Sequence, residues 1–205
     1  KDPVYPLILD MCKKCCFIQS RAITNPRHRY VETDYSYTSD NSKFSRNHWI
    51  DYANYVDEKF NIKGKKIIEI GSNDGFLSLI LNQKGADILA VDASKVMVNI
   101  CKKKNLNSIH SIFNHFESKR IKKFLGKADI IIANNVFNHS DDPNNFLKGI
   151  NNLLKDDGKF IFEQPNFVKG VTTLRFDQIY HEHVSYFTVK NIYSILKHNN
   201  LKIIR

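Results

Sequence analysis

The sequence predicts an α/β fold, a doubly wound parallel sheet with a small irregular leader in front of it. Three observations predict it. Short apolar runs alternate with amphipathic segments from Lys66 onward, a Gly-x-x-x-Gly turn follows the first run, and an acid, Asp92, closes the second. Alternation of this kind places a parallel sheet between two layers of helices.

Residues 1–45 form the leader, rich in Tyr, Pro, Cys, Asn and Ser and without a sustained period of 3.6 or 2. Trp49, Ile50, Ala53, Val56 and Phe60 then recur at helical spacing and predict a helix over 44–60. Strands are predicted at 66–70, 88–91, 109–113, 130–133 and 160–163, and helices at 76–81, 95–101, 119–125 and 146–154. A helix over 189–197 and a sixth strand over 201–204 complete the pattern. The organisation expected is a leader, 1–45, and one sheet domain, 46–205. A start at Lys1 and an end at Arg205 inside an apolar run suggest a piece of a longer chain, lacking the domain's last strand.

With 205 residues and 42% hydrophobic content, the chain can bury one good core, while two full domains would be cramped. It carries no secretory signal and no apolar run of bilayer length, so no membrane partner is expected. Cys12, Cys15, Cys16 and Cys101 are too unevenly spaced for a secreted disulfide framework, which points to a reducing, cytoplasmic setting. The net charge of +10 is spread over lysines along the chain. It reads first as a solvated face and second as attraction for an anionic ligand. No zinc-finger, RNP or helix-turn-helix pattern accompanies it, so nucleic acid is not the expected partner. Nothing in the sequence sets the oligomeric state.

The turn Glu69-Ile-Gly71-Ser72-Asn73-Asp74-Gly75 stands between a buried strand and a helix. Its glycines let the backbone approach a ligand, and the helix start supplies free amides. Asp92, at the end of the second strand, is placed to hold two ribose hydroxyls. A dinucleotide would need Gly-x-Gly-x-x-Gly around its pyrophosphate, and Glu69 and Asp74 would repel phosphate. A cationic sulfonium with an amino acid tail is the better guest, which makes S-adenosylmethionine the expected cofactor. Asn134 and Asn135, directly after the fourth strand, fall at the same carboxyl edge of the sheet.

A second constellation, Phe176-Asp-Gln-Ile-Tyr180-His181-Glu182-His183-Val-Ser-Tyr186-Phe187, packs two histidines, two tyrosines and the acid Glu182 together, with Asp177 just before them. In an extended chain Tyr180 and Glu182 would point one way and His181 and His183 the other, whereas a turn would rearrange them. His-x-His also suits a metal. Acid–base work is the preferred reading, because a histidine near neutral pKa beside Glu182 can remove a proton. His139 lies just past the fourth strand and is a candidate to face the same pocket, and Tyr35, Tyr37 and Tyr180 are candidates to hold substrate oxygens or an enolate.

Together, Glu69-Ile-Gly-Ser-Asn-Asp-Gly75, Asn135-Val-Phe-Asn-His139 and Tyr180-His-Glu-His-Val-Ser-Tyr-Phe187 resemble the marker motifs of the sugar C-methyltransferases that act on nucleotide-linked ketosugars. Tyr35-Ser-Tyr-Thr-Ser39 and Tyr5-Pro-Leu-Ile-Leu-Asp-Met-Cys-Lys-Lys-Cys15 are similar to that family's leader. The resemblance implies a Rossmann-like class I methyltransferase fold, a nucleotide-sugar substrate, removal of the proton beside a ketone, and attack of the enolate on the cofactor's methyl group. It implies His183 as base, Tyr180 and Glu182 as its helpers, His139 across the pocket, and Tyr35, in preference to Tyr37, as the leader's substrate-facing tyrosine.

Two departures accompany the resemblance. The family's structural zinc uses two Cys-x-x-Cys pairs, and here only Cys12-Lys-Lys-Cys15 is present, half of such a site, with Cys16 and Cys101 poor substitutes. The family also continues into a further α/β domain. The other functions weighed are O- or N-methylation of a small molecule, and a non-catalytic S-adenosylmethionine-binding module.

Overall fold

The apolar runs at 66–70, 87–92 and 128–132 have no polar face, so strands built from them need cover on both sides. The structure, a computed structural model, describes residues 4–32 and 37–204. In chain order the elements begin with β1 (Leu9–Met11), β2 (Ile18–Ser20), α1 (Pro26–Tyr30) and α2 (Lys43–Phe60). Alternation then sets in with β3 (Lys66–Ile70), α3 (Phe76–Gln83), β4 (Asp87–Asp92), α4 (Lys95–Lys103), β5 (Ser108–His110) and α5 (His115–Leu125). It continues through β6 (Ala128–Ile132), a 3-10 turn (Phe137–His139), α6 (Pro143–Leu153), β7 (Leu154–Ile161), α7 (Phe167–Thr172), β8 (Ser185–Tyr186) and α8 (Val189–His198).

The main sheet is parallel throughout, in the order β5-β4-β3-β6-β7. Alternate residues divide between its faces. Ile67, Ile88 and Ile130 pack with Ala53 and Val56 of α2, Leu77 and Leu81 of α3 and Cys101 of α4. Ile68, Leu89 and Ile131 pack with Ile121 of α5, Phe146, Leu147 and Ile150 of α6 and Leu196 of α8. The sheet is thus doubly wound, as the sequence predicts. Chain order reverses between β3 and β6, so the loops leaving these neighbours diverge and open a crevice at their carboxyl ends.

Gly71 makes this crevice possible. Its φ is +70°, in the left-handed region, and a Cβ there would lie 2.1 Å from Cγ2 of Val136 in the loop after β6. Only a glycine lets the two loops meet this closely.

The structure differs from the sequence reading in two places. The leader is not irregular: β1 and β2 form an antiparallel hairpin, and β2 pairs in turn with β8 from the far end of the chain. Three-residue strands are too short to show a period, so this sheet left no pattern in the sequence. Residues 201–204 form no strand. Asn200 adopts a φ of +58° and the Leu201 amide donates to the Leu196 carbonyl at 2.9 Å, so the backbone closes the end of α8.

Gly71→Ala is expected to cost about 2–4 kcal/mol, the sum of a left-handed Cβ penalty and a steric clash. Adding Val136→Ala should recover the steric part only. Chemical denaturation checks this, and a Gly71→Ala protein as stable as the parent would contradict the close approach.

Candidate active site

A cavity of about 990 Å³ opens over the crevice. One end is lined by Glu69, Gly71, Asn73, Asp92, Ser94 and Asn134, and the other by Arg29, Tyr30, His139, Tyr180, Glu182 and His183. The two constellations read from the sequence therefore share one chamber.

At the first end, Asp92 is fixed by backbone amides. Asn73 N donates to Oδ2 at 2.8 Å and Ser94 N to Oδ1 at 2.7 Å. Burial raises its pKa, and the Ser94 and Asn73 amides oppose that rise. Glu69 is buried at the cavity wall and accepts a hydrogen bond from the Ser78 hydroxyl. Burial pushes its pKa up to about 8, with the charges of Asp92 and Asp74 adding to the rise, so at neutral pH the carboxyl is mostly protonated.

The rest of the turn divides by role. Gly71 and Asn73 face the cavity, whereas Ser72, Asp74 and Gly75 do not line it. Gly75 caps α3 with a φ of +76°, and Asp74 is buried and paired with Lys104 Nζ at 3.2 Å. The negative charge expected of the turn is therefore partly cancelled. Asn134 accepts from the Tyr52 hydroxyl at 3.2 Å and from Glu163 N at 2.8 Å, while its buried Nδ2 has no partner among the described residues. Asn135, exposed at a φ of +53°, turns the chain out of the sheet.

These residues fit an adenosine cofactor with a cationic centre. A carboxylate with preset amides stands where ribose hydroxyls would come, a glycine leaves the backbone open, and a second acid sits beside it.

At the other end, a turn decides the geometry of the histidine stretch. The His183 amide donates to the Tyr180 carbonyl at 3.0 Å, which folds Tyr180 and His183 onto one side. Extended pairing does not occur. His183 Nδ1 lies 2.8 Å from the Gln178 carbonyl and must carry the proton there, which leaves Nε2 as an acceptor. The Tyr180 hydroxyl donates to that Nε2 at 2.8 Å. Burial lowers the His183 pKa, against the Gln178 bond, and pushes that of Tyr180 up to about 12, with Glu182 assisting. Glu182 itself is half-buried, with its pKa raised by burial.

His139 stands edge-on to His183, with ring centroids 4.9 Å apart. Burial, His183 and Arg29 lower its pKa to about 3, so it stays neutral. His181 turns away and bonds the Tyr5 carbonyl at 3.1 Å.

Tyr35 lies outside the described residues. Tyr37 is half-exposed and lines the cavity, and its carbonyl accepts from Asn73 Nδ2 at 2.9 Å. Sequence reasoning missed Arg29, Tyr30 and Asp141. Arg29 is buried, pairs with Asp141 and donates to the Thr24 carbonyl at 2.7 Å. Asn25 followed by Pro26 is a helix-start signal that would have placed Arg29 and Tyr30 on a short helix. Cys12, Cys15 and Cys16 sit exposed on the β1–β2 connection. The Cys15 and Lys14 amides lower the Cys12 pKa. Among the described residues no three His, Cys, Asp or Glu side chains gather as metal ligands. Nor is any described helix long and apolar enough to cross a membrane.

Residues 43–205 match the methyltransferase domain family model. The chain belongs to that family, whose class is the S-adenosylmethionine-dependent methyltransferases. Among curated proteins it is 24% identical over 208 aligned residues to the C-methyltransferase NovU of Streptomyces niveus, covering 99% of this chain and 48% of the relative. It is 23% identical over 116 residues to a ubiquinone biosynthesis O-methyltransferase of Pseudomonas fluorescens, covering 56% of this chain and 50% of the relative. The chain thus spans about half the length of these curated relatives. The fold is shared with magnesium protoporphyrin IX methyltransferase from Synechocystis, solved with bound SAH, at a TM-score of 0.61 and 18% identity over 88% of this chain and 85% of that one.

Because Glu69 holds its proton in the folded state up to about pH 8 and releases it near 4.5 when unfolded, it reduces stability as pH rises between those values. Glu69→Gln removes this loss. Thermal melts at pH about 5 and about 8 are expected to show the variant gaining on the parent as pH rises. A difference independent of pH would contradict a protonated Glu69.

Proposed function

We propose that this domain methylates a carbon of a nucleotide-linked ketosugar, with S-adenosylmethionine as methyl donor and His183 as the base that removes the proton beside the ketone. The observation that carries this reading is the His183 tautomer: Nδ1–H held by the Gln178 carbonyl, and Nε2 presented as an acceptor into the cofactor's own cavity. Carbon is a poor nucleophile until deprotonated, so such a reaction needs a placed base, whereas many O-methylations need mainly proximity.

Bound in the cavity, the cofactor supplies an electrophilic methyl group. Everything else falls to the chain. Asp92 and the Gly71 turn hold the donor. His183 Nε2 receives the proton once the substrate displaces the Tyr180 hydroxyl, which is then free to bond the ketone oxygen. Glu182, whose pKa burial raises against the charge of Arg29, and buried Arg29 itself frame the sugar. Tyr35 and Tyr37 remain the leader's candidates for substrate contact, and Cys12 and Cys15 remain candidates for half of a zinc site.

Two features support carbon as the acceptor and a ketosugar as the substrate. The likeness to a C-methyltransferase runs along nearly the whole chain, whereas that to the ubiquinone O-methyltransferase covers 56% of it. The excess of basic residues, +10 overall, suits a phosphate-bearing substrate. A cytoplasmic setting belongs to the same proposal, since nucleotide-activated sugars are made there.

His183→Ala is expected to bind S-adenosylmethionine as the parent does, by calorimetry, and to lose about 10²–10⁴-fold in kcat. Retained turnover would exclude His183 as the base. Because its neutral form is the active one and its pKa is lowered, the acid limb of kcat/KM should fall below the ordinary imidazole value of about 6.5. With a ¹³C-methyl donor, carbon–carbon coupling in the product establishes C-methylation, and its absence points to oxygen or nitrogen.

A further inference from the structure

Tyr30 was not among the residues the sequence singled out, yet it makes one of the shorter hydrogen bonds in the chamber. Its hydroxyl lies 2.7 Å from His139 Nδ1, and both residues line the cavity. An imidazole nitrogen is a much stronger acceptor than a phenol oxygen, so the bond runs O–H to N. Nδ1 then carries the lone pair and the ring's proton sits on Nε2. That second nitrogen has no hydrogen-bond partner among the described residues, and the ring that bears it lines the cavity.

The two histidines are consequently set in opposite senses. His183 carries its proton on Nδ1, against the Gln178 carbonyl, and its Nε2 lone pair, met by the Tyr180 hydroxyl, becomes available when substrate displaces that hydroxyl. His139, edge-on at 4.9 Å, has a lone pair occupied by Tyr30 and offers N–H at Nε2. An acceptor and a donor side by side are what enolisation requires: one takes the proton from carbon, the other meets the charge that develops on oxygen.

We propose that Tyr30 is a positioning residue that holds His139 as a neutral Nε2–H donor toward the substrate's carbonyl oxygen. In the step it serves, His183 Nε2 takes the proton from the carbon beside the ketone. The C–H electron pair moves into the carbon–carbon bond, and the carbonyl pair moves onto oxygen. His139 donates a hydrogen bond to that oxygen without giving up its proton. The catalytic part of the inference rests on the ketosugar reading above, but the tautomer does not.

The Arg29–Asp141 pair and the Arg29 bond to the Thr24 carbonyl keep α1 against the 3-10 turn that carries His139. Burial chiefly, with the charges of His183 and Arg29 adding to it, keeps His139 from taking a second proton.

The test is ¹⁵N NMR of the histidine side chains in the full chain, with His139 assigned by its loss in His139→Gln. In the parent, His139 should show an acceptor-type Nδ1 and a protonated Nε2. In Tyr30→Phe the spectrum should move toward a mixture of the two tautomers. A protonated Nδ1 in the parent overturns the proposal without any variant, and so does an unchanged His139 in a folded Tyr30→Phe protein.

Turnover reads the catalytic part. Tyr30→Phe should lower kcat about tenfold with KM little changed, less than the loss from removing an oxyanion donor outright. His139→Gln, which keeps a neutral donor near the Nε2 position, should retain more activity than His139→Ala. Equal activities in those two variants overturn the donor role. A correct tautomer with no ketosugar turned over by the parent faults the functional reading and leaves the Tyr30 assignment standing.

Discussion

Val184 joins the parts of this molecule that chemistry must bring together. Its amide donates to the Asn138 carbonyl at 3.0 Å and its carbonyl accepts from the Ser20 amide at 2.8 Å, with the side chain almost fully buried. One peptide neighbourhood thereby ties the leader hairpin, the turn after β6 and the histidine stretch. His183 precedes this residue, His139 follows Asn138, and the strand bearing Ser20 runs toward Arg29 and Tyr30. Breaking the β2–β8 ladder would leave the Rossmann-like core intact, since its two hydrophobic clusters are built almost wholly from the sheet and its helices. His183 would then lose its register against the Asp92 end of the cavity.

This arrangement divides the molecule into a generic part and a specific part. The crevice between β3 and β6 follows from topology, and its cofactor features follow from two short stretches, the Gly71 turn and Asp92. What distinguishes one methyltransferase from another is what is laid across that crevice. Here it is a strip of hydrogen-bonded imidazoles and phenols, whose imidazole pKa values are lowered chiefly by burial. Neutral imidazoles serve proton abstraction better than a fixed cation would, because one can accept while the other donates.

The sheet was legible in the sequence because its strands are buried on both faces and its helices are amphipathic over two or more turns. Strand β3, the Gly71–Gly75 turn, Asp92 and helix α2 emerged with boundaries close to those found. The predicted sixth strand failed because an apolar run alone does not supply a ladder partner, and Asn200 in a left-handed conformation turned the backbone elsewhere. The leader failed in the opposite direction: β1 and β2 are three residues each, and β2 pairs with a segment more than 160 positions away, which no local pattern reports. Within the site, residue types singled out Tyr180, Glu182 and His183, which line one cavity. Which nitrogen of His183 is free depended on the Gln178 carbonyl, and the partner of His139 depended on α1, both matters of tertiary placement.

The central claim, that His183 makes a carbanion equivalent beside a ketone, is tested most directly by proton exchange. The domain is mixed with nucleotide-linked ketosugars in D₂O without any methyl donor, and deuterium entering the carbon next to the ketone is followed by NMR. The account predicts enzyme-dependent exchange in the parent and none above background in His183→Ala. Exchange that is equal in the two proteins would contradict it.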